Sequence, residues 1–158
     1  MPLNIHTFAE EVWLPLPRDR VFAFFADAGN LDAITPPWLH FQIVSSTPII
    51  MKPGTLIDYR LRVRGLPIFW RSEITEWEPP VRFVDRQLKG PYRQWIHTHE
   101  FEEKDGGTLI RDRVEYAVPG WFLEPLVHRL FVKPDIDKIF KHRTASIRAI
   151  LLPDAAVN

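Results

Sequence analysis

The run Trp95-Ile96-His97-Thr98-His99-Glu100-Phe101 spaces two histidines by one residue, in step with Trp95 and Phe101. On a β-strand alternate side chains share a face. The pattern therefore sets two imidazoles beside two large apolar rings. A carboxylate belongs to the next segment, where Thr108, Ile110, Asp112, Val114 and Tyr116 alternate with Leu109, Arg111, Arg113 and Glu115. A buried carboxylate is costly unless paired, and an imidazole N–H is its natural partner. If Lys104–Gly107 makes a regular turn, Glu103 pairs with Thr108. His99 then lies opposite Asp112, and His97 opposite Val114. Asp85, in step with Phe83 and Gln87, offers a second carboxylate. Arg143, one turn after Phe140 and one before Ile147, either neutralises Asp85 or Asp112 or snorkels past the rim.

Three chemistries fit these residues. In the leading reading the chain is a carrier or sensor of a hydrophobic small molecule. Tyr59, Trp70, Trp95, Tyr116 and Phe140 form an apolar wall, and Asp85, His97, Arg143 and the His99–Asp112 pair orient the ligand. The second reading is an enzyme of cyclase or dehydratase type. There His99, oriented by Asp112, is the base next to a carbonyl, and Tyr59 or Arg143 donates to the oxygen. The same pair also reads as a satisfied polar network that fixes strand register. The third reading is a metal site, since His-x-His plus an opposed Asp suits iron(II) or zinc. His-x-His also arises by chance, and no metal or cofactor is expected. Ser72 and Ser146 lack a nucleophile setting, and His6, His40, His128 and His142 have no partner that spacing reveals.

Bulk properties narrow the partners. Lys+Arg and Asp+Glu are both 20, so there is no net field to gather nucleic acid or an acidic membrane surface. The row Arg60, Arg62 and Arg64 resembles a phosphate stripe. With Asp58, Glu73 and Glu76 nearby it reads as a solvated sheet face. The absence of cysteine removes disulfides, thiolate nucleophiles and Cys-based metal sites. Met1–His6 shows no signal-peptide pattern and no stretch approaches about 18 apolar residues. A cytoplasmic setting without membrane insertion is expected; oligomeric state is left open. The chain has 15 prolines, 6 Trp, 11 Phe and 3 Tyr but only 7 glycines. Disordered chains lack aromatics, so the prolines are expected at the joints of an ordered domain.

The elements that must position these residues follow from breaks and periodicity. A strand is expected over 4–13, then a short apolar helix from Pro17 to Asp27–Gly29. A second helix over 31–35, capped by Asn30, ends at Pro36–Pro37. From Trp38 the period becomes two, with strands over 39–46, 55–64, 68–78, 81–88, 92–103 and 107–118 joined as antiparallel hairpins. Inward sets are Thr55, Ile57, Tyr59, Leu61 and Val63; Ile68, Trp70, Ser72 and Ile74; and Arg93, Trp95, His97, His99 and Phe101. Residues 122–152 read as helix, interrupted at Pro134 and restarted at Asp135. The fold class is α+β: a curved seven-stranded antiparallel sheet wrapped around a long C-terminal helix, with two small helices after the first strand. Such a sheet needs cover on one face and leaves a cavity between sheet and helix. Residues 1–152 are expected to form one domain, with a flexible tail at 153–158.

Several stretches carry a family resemblance. They are Pro17-x-x-x-Val21-Phe22-x-Phe24-x-x-Asp27-x-x-Asn30-Leu31; Gly54-Thr55 through Asp58-Tyr59; Trp70-x-x-x-Ile74-x-x-Trp77-x-Pro79-Pro80-x-x-Phe83-x-Asp85; and Gly90-Pro91-Tyr92-x-x-Trp95-x-His97-x-His99-x-Phe101. Together with the element order they resemble the polyketide cyclase/dehydrase-like branch of the START-like (SRPBCC) superfamily, whose fold is the helix grip. The resemblance implies a ligand cavity under the C-terminal helix and supplies no metal precedent. It does not choose between lipid, quinone or polyketide-like cargo and a cyclase or dehydratase reaction.

Overall fold

Period-two alternation builds a single antiparallel sheet. Its strands are β1 (His6–Leu14), β2 (Gln42–Ile43), β3 (Leu56–Val63), β4 (Leu66–Glu78), β5 (Arg82–Lys89), β6 (Gln94–Lys104) and β7 (Gly107–Ala117). They lie in the order β1-β7-β6-β5-β4-β3-β2. Helices α1 (Arg18–Ala26) and α2 (Leu31–Ile34) follow β1. After β7 the chain is helical from Trp121 to Leu151, through α3 (Glu124–Val127), a π-turn over His128–Val132 and α4 (Lys133–Leu151). This computed structural model describes residues 2–153. Of the tail expected at 153–158, residues 154–158 lie outside the described residues.

Two-residue turns fix the register. Arg64–Gly65 joins β3 to β4 and Asp105–Gly106 joins β6 to β7, all four residues at positive φ (51°, 82°, 50° and 74°). That backbone twist matches the right-handed twist of paired strands. Glu103 therefore pairs with Thr108, His99 with Asp112 and His97 with Val114, the register expected from the sequence. β4 carries register shifts between Arg71 and Ser72 and between Ile74 and Glu76. Such bulges bend a strand.

Four local expectations are corrected. The strand over 39–46 shrinks to Gln42–Ile43. His40 takes a left-handed conformation, and the Val44 and Ser45 N–H groups both donate to the Asp58 carbonyl, at 2.8 and 3.2 Å, so pairing stops there. The break at Gly65–Pro67 is shorter than expected, since Leu66 and Pro67 already pair with Val63 and Arg62. Asn30 does not cap α2 with its side chain. Its Nδ2 donates to the Phe24 carbonyl at 2.9 Å, while Asp27 accepts the Gly29 N–H. Pro134 does not interrupt the helix. The π-turn, closed by the Lys133 N–H on the His128 carbonyl, carries the chain to the first turn of α4. A missing N–H is tolerated at that position.

Packing is concentrated at two ends. Val12, Leu14, Val21, Phe22, Phe101, Ile110 and Ile147 bind α1 and the end of α4 to the sheet. Val114, Val118, Ile136 and Phe140 bind the start of α4 to β7. A fully buried side chain of this size contributes about 1.5–3 kcal/mol. Ile136, Phe140, Ile147 and Leu151 are the buried stripe of α4. Between the two ends the helix stands off the sheet.

Candidate functional site

The gap is a cavity of about 750 Å³. Ile57, Tyr59, Trp70, Ile74, Phe83 and Trp95 line it from the sheet, while Phe25, Ile34, Phe140 and Arg143 line it from the helices. Trp38 lines the cavity at its edge and spans to α4. Lys138 Nζ is 4.4 Å from its ring centroid, and His142 meets it edge-on. The inward sets of β3 and β4 face as alternation requires. Arg60 and Arg62 point outward, and Arg71 binds Asp58 through two bonds of 2.7 and 2.9 Å.

One face of β5, β6 and β7 brings the polar residues together. His97 lies opposite Asp85 on β5, and His99 opposite Phe83 on β5 and Asp112 on β7. The hydrogen bonds cross this register. His97 Nε2 reaches diagonally to Asp112 Oδ1 at 2.8 Å, and His99 Nε2 reaches diagonally to Asp85 Oδ2 at 2.8 Å. Diagonal neighbours on one face are within range of long side chains. The two rings stack with centroids 3.7 Å apart. His99 Nδ1 lies 3.4 Å from Asp112 Oδ1 but makes no hydrogen bond. The expected His99–Asp112 pair is thus a contact rather than the bonded pair; Asp112 bonds His97, and Asp85 takes His99. The rings and Asp85 line the cavity, whereas Asp112, 5% exposed, sits behind them.

Electrostatics separates the two imidazoles. Burial lowers the pKa of His97, the neighbouring His99 lowers it further, and together they outweigh Asp112. Burial acts the same way on His99, but Asp112 and Asp85 reverse it and hold His99 above its ordinary value. Burial would raise Asp112; the two imidazoles and the charge of Arg143 hold it well below the carboxylate range. Asp85 is also lowered, burial being outweighed by His99 and His97. Arg143 makes no ion pair among the described residues. Its guanidinium lies 5.6 Å from the Phe25 ring centroid and 5.9 Å from that of Phe140.

A second polar group sits on β3 and β4. Trp70 Nε1 donates to Ser72 Oγ at 2.9 Å, and Ser72 Oγ lies 3.2 Å from the Tyr59 hydroxyl. Three protons serve two bonds, so one hydroxyl proton remains for a ligand. Burial pushes the Tyr59 pKa up, which keeps it a neutral donor.

One expected site residue, Tyr116, and one residue expected on the inward face, Arg93, are elsewhere. Tyr116 is buried but does not line the cavity; it packs against Tyr92 and Trp95, and its hydroxyl binds His128 Nε2 at 2.7 Å. Arg93 is exposed because β6 begins at Gln94, so alternation does not extend back to it. For the same reason Tyr92, expected outward, reaches the cavity. Gly90–Pro91 was the signal that the strand phase is lost there. Ser72, expected on the inward face but given no role, is the hub of the Trp70–Tyr59 group.

The sequence pattern of the polyketide cyclase / dehydrase and lipid transport family matches residues 14–139. The chain belongs to this family. Among curated proteins none matches it in sequence. Solved structures do match this family member in fold. Protein Ms6760 from Mycobacterium smegmatis is 19% identical, with 97% of this chain and 99% of that one covered and a TM-score of 0.69. Ginseng major latex-like protein 151 from Panax ginseng is 13% identical, with 94% and 99% covered and a TM-score of 0.67. Ara h 8.0201 is 22% identical, with 92% and 99% covered and a TM-score of 0.62. At these identities the likeness is one of fold, the helix grip of the START-like superfamily. Within the described residues no helix is long and apolar enough to cross a membrane.

Proposed function

We propose that this protein binds a largely apolar, ring-containing small molecule with a polar end in the cavity between sheet and α4, as a carrier or sensor. The cavity carries the reading. Its 750 Å³ falls within the range of about 300–1,000 Å³ that small-molecule sites occupy. Aromatic walls supply contact area, and the spare hydroxyl proton of Tyr59–Ser72 and the polar face of His97, His99 and Asp85 supply orientation. The family, described by both cyclase/dehydrase chemistry and lipid transport, supports a hydrophobic cargo. The test uses 1-anilinonaphthalene-8-sulfonate as probe, with native mass spectrometry of the freshly purified protein. Stoichiometric, saturable probe binding is expected, and Leu61→Trp, which fills part of the cavity, weakens it. Probe binding that Leu61→Trp leaves unchanged overturns the reading.

A second reading is acid–base catalysis of the cyclase or dehydratase kind, favoured by the split between the imidazoles. With Nε2–H on Asp112, His97 presents Nδ1 as a base, beside a His99 whose pKa the two carboxylates hold higher. Paired groups whose environments push their pKa values apart suit base and acid roles. His97→Gln is then expected to abolish cyclisation of a poly-β-ketone thioester while probe binding persists. Unchanged turnover in that variant removes this reading.

A further inference from the structure

We propose that Asp85, His97 and His99 form a binding site for a divalent first-row transition-metal ion on the cavity wall. One donor atom from each lies within 4.8 Å of the other two. The position of Asp112 selects which atoms face the ion. It faces one nitrogen of each ring, His97 Nε2 at 2.8 Å and His99 Nδ1 at 3.4 Å. His97 Nδ1 and His99 Nε2 are left for the ion, the latter already 2.8 Å from Asp85 Oδ2. Two neutral imidazoles and one carboxylate are a donor set for iron(II) or zinc that leaves positions open for a further ligand. Histidines that bind metals commonly give their other N–H to a carboxylate, which fixes the ring and strengthens the ligand. Asp112, buried behind both rings and off the cavity wall, stands in that place for each of them. The buried His99 Nδ1, without a hydrogen-bond partner, is a group the side-chain network does not satisfy. A small movement of the ring toward Asp112 on coordination closes that gap.

Coordination takes both imidazoles neutral. Asp85, Asp112, Arg143 and the divalent ion then sum to one positive charge, Arg143 contacting the rings of Phe25 and Phe140 rather than either acid. That suits an anionic oxygen, a carboxylate or enolate, at the open position toward the cavity. The sequence pointed to Asp112 as the third ligand. The crossed hydrogen bonds give that role to Asp85 and make Asp112 the positioning residue. Metal uptake goes beyond the ligand-binding reading and is measured with no organic molecule present, so either can fail alone.

The test is titration of chelator-stripped protein with cobalt(II), followed by visible absorption, and with zinc(II), followed by calorimetry. One ion per chain is expected. Asp85→Asn and His97→Gln lose it, and His128→Gln, which alters the stacked His6–His128 pair (ring centroids 3.5 Å apart), leaves it unchanged. Asp112→Asn keeps the stoichiometry but weakens affinity about 10- to 100-fold. The wild type carries its own readout, independent of whether the ligand variants fold: cobalt(II) shifts the ring signals of His97 and His99 in NMR and not those of His6 and His128. Absence of a bound ion in the wild type, or shifts centred on His6 and His128, overturns the proposal.

Discussion

Replacing Asp112 by asparagine changes charge and one donor set while leaving volume nearly constant, so no cavity is created. Two losses follow. The His97 Nε2–H bond now ends on a neutral oxygen. Bonds to charged groups are worth about 1.5–3 kcal/mol and neutral ones about 0.5–1.5, a difference of about 1 kcal/mol. The new amide NH2 also sits where Asp112 is 5% exposed, against two rings that present N–H groups to it. An unsatisfied buried donor costs about 1–3 kcal/mol. The expected loss is about 2–4 kcal/mol at neutral pH, or roughly 5–15 °C in Tm for a domain of this size. Urea denaturation followed by tryptophan fluorescence, with an unchanged m-value, measures it. Asp85 has a side chain 19% exposed at the cavity surface, where water can serve it. Asp85→Asn is therefore expected to lose less, about 1–2 kcal/mol. A cycle with His97→Gln gives a coupling of about 1 kcal/mol or more for contacting residues. A loss under about 0.5 kcal/mol for Asp112→Asn, or a larger one for Asp85→Asn, would refute the crossed arrangement.

Further outcomes test other parts of the structure. Ser72→Ala strands the Trp70 N–H in a buried site and is expected to lose about 1–3 kcal/mol in chemical denaturation; probe affinity changes with it, because Tyr59 loses its partner. Gly107→Ala places a Cβ against the Leu14 carbonyl and the Trp13 ring, and a thermal melt should show a loss of about 1–3 kcal/mol from overpacking. Phe101→Ala, at 2% exposure, is expected to cost about 3–5 kcal/mol in the same melt. Acidification acts on the Glu124 cluster. Glu124 is held below its ordinary value, burial being outweighed by His6 and Asn4, and its contribution, full above about 4.5, is lost as pH falls through the folded value. His128 is lowered by burial, His6 and Lys133 against the opposing Glu124; its contribution, full above 6.5, is also lost on acidification. Hydrogen exchange over 121–132 should therefore accelerate as pH drops from neutral, and a pH-independent rate after correction for intrinsic exchange refutes this.

The sheet was legible because its signals are local. Alternation from Thr55 to Val63 and the Lys104–Gly107 turn determine facing and register without knowledge of the rest. The inward positions of His97, His99 and Asp112 followed from that register. The hydrogen-bond partners did not, because they depend on a third strand. Asp85 reaches the histidines only through the β5–β6 pairing and a β4 whose bulges no residue pattern announces. Tyr116 and Arg93 failed for a different reason. Alternation says which face a residue takes but not how far along the strand the cavity extends, nor where a strand begins after Gly90–Pro91.

Placing four titratable side chains at and behind the wall of an apolar cavity works against stability twice. The space forfeits packing that a filled core would supply, and buried charges must be held by one another. The apolar clusters at the two ends offset this by concentrating their contacts where no ligand enters. Occupation of the cavity should then appear as stability. A ligand present at about 100 times its Kd adds about 2.7 kcal/mol whatever its chemistry. A metal ion on Asp85, His97 and His99 adds its own increment, and only that increment vanishes in Asp85→Asn. The two increments differ in what removes them: chelator for one, the cavity-filling Leu61→Trp for the other. A single thermal-shift matrix of wild type and both variants, with and without metal and probe, separates a ligand-binding cavity from a metal centre within it. A melt that moves with neither addition leaves the polar residues as structural groups that hold β5, β6 and β7 in register.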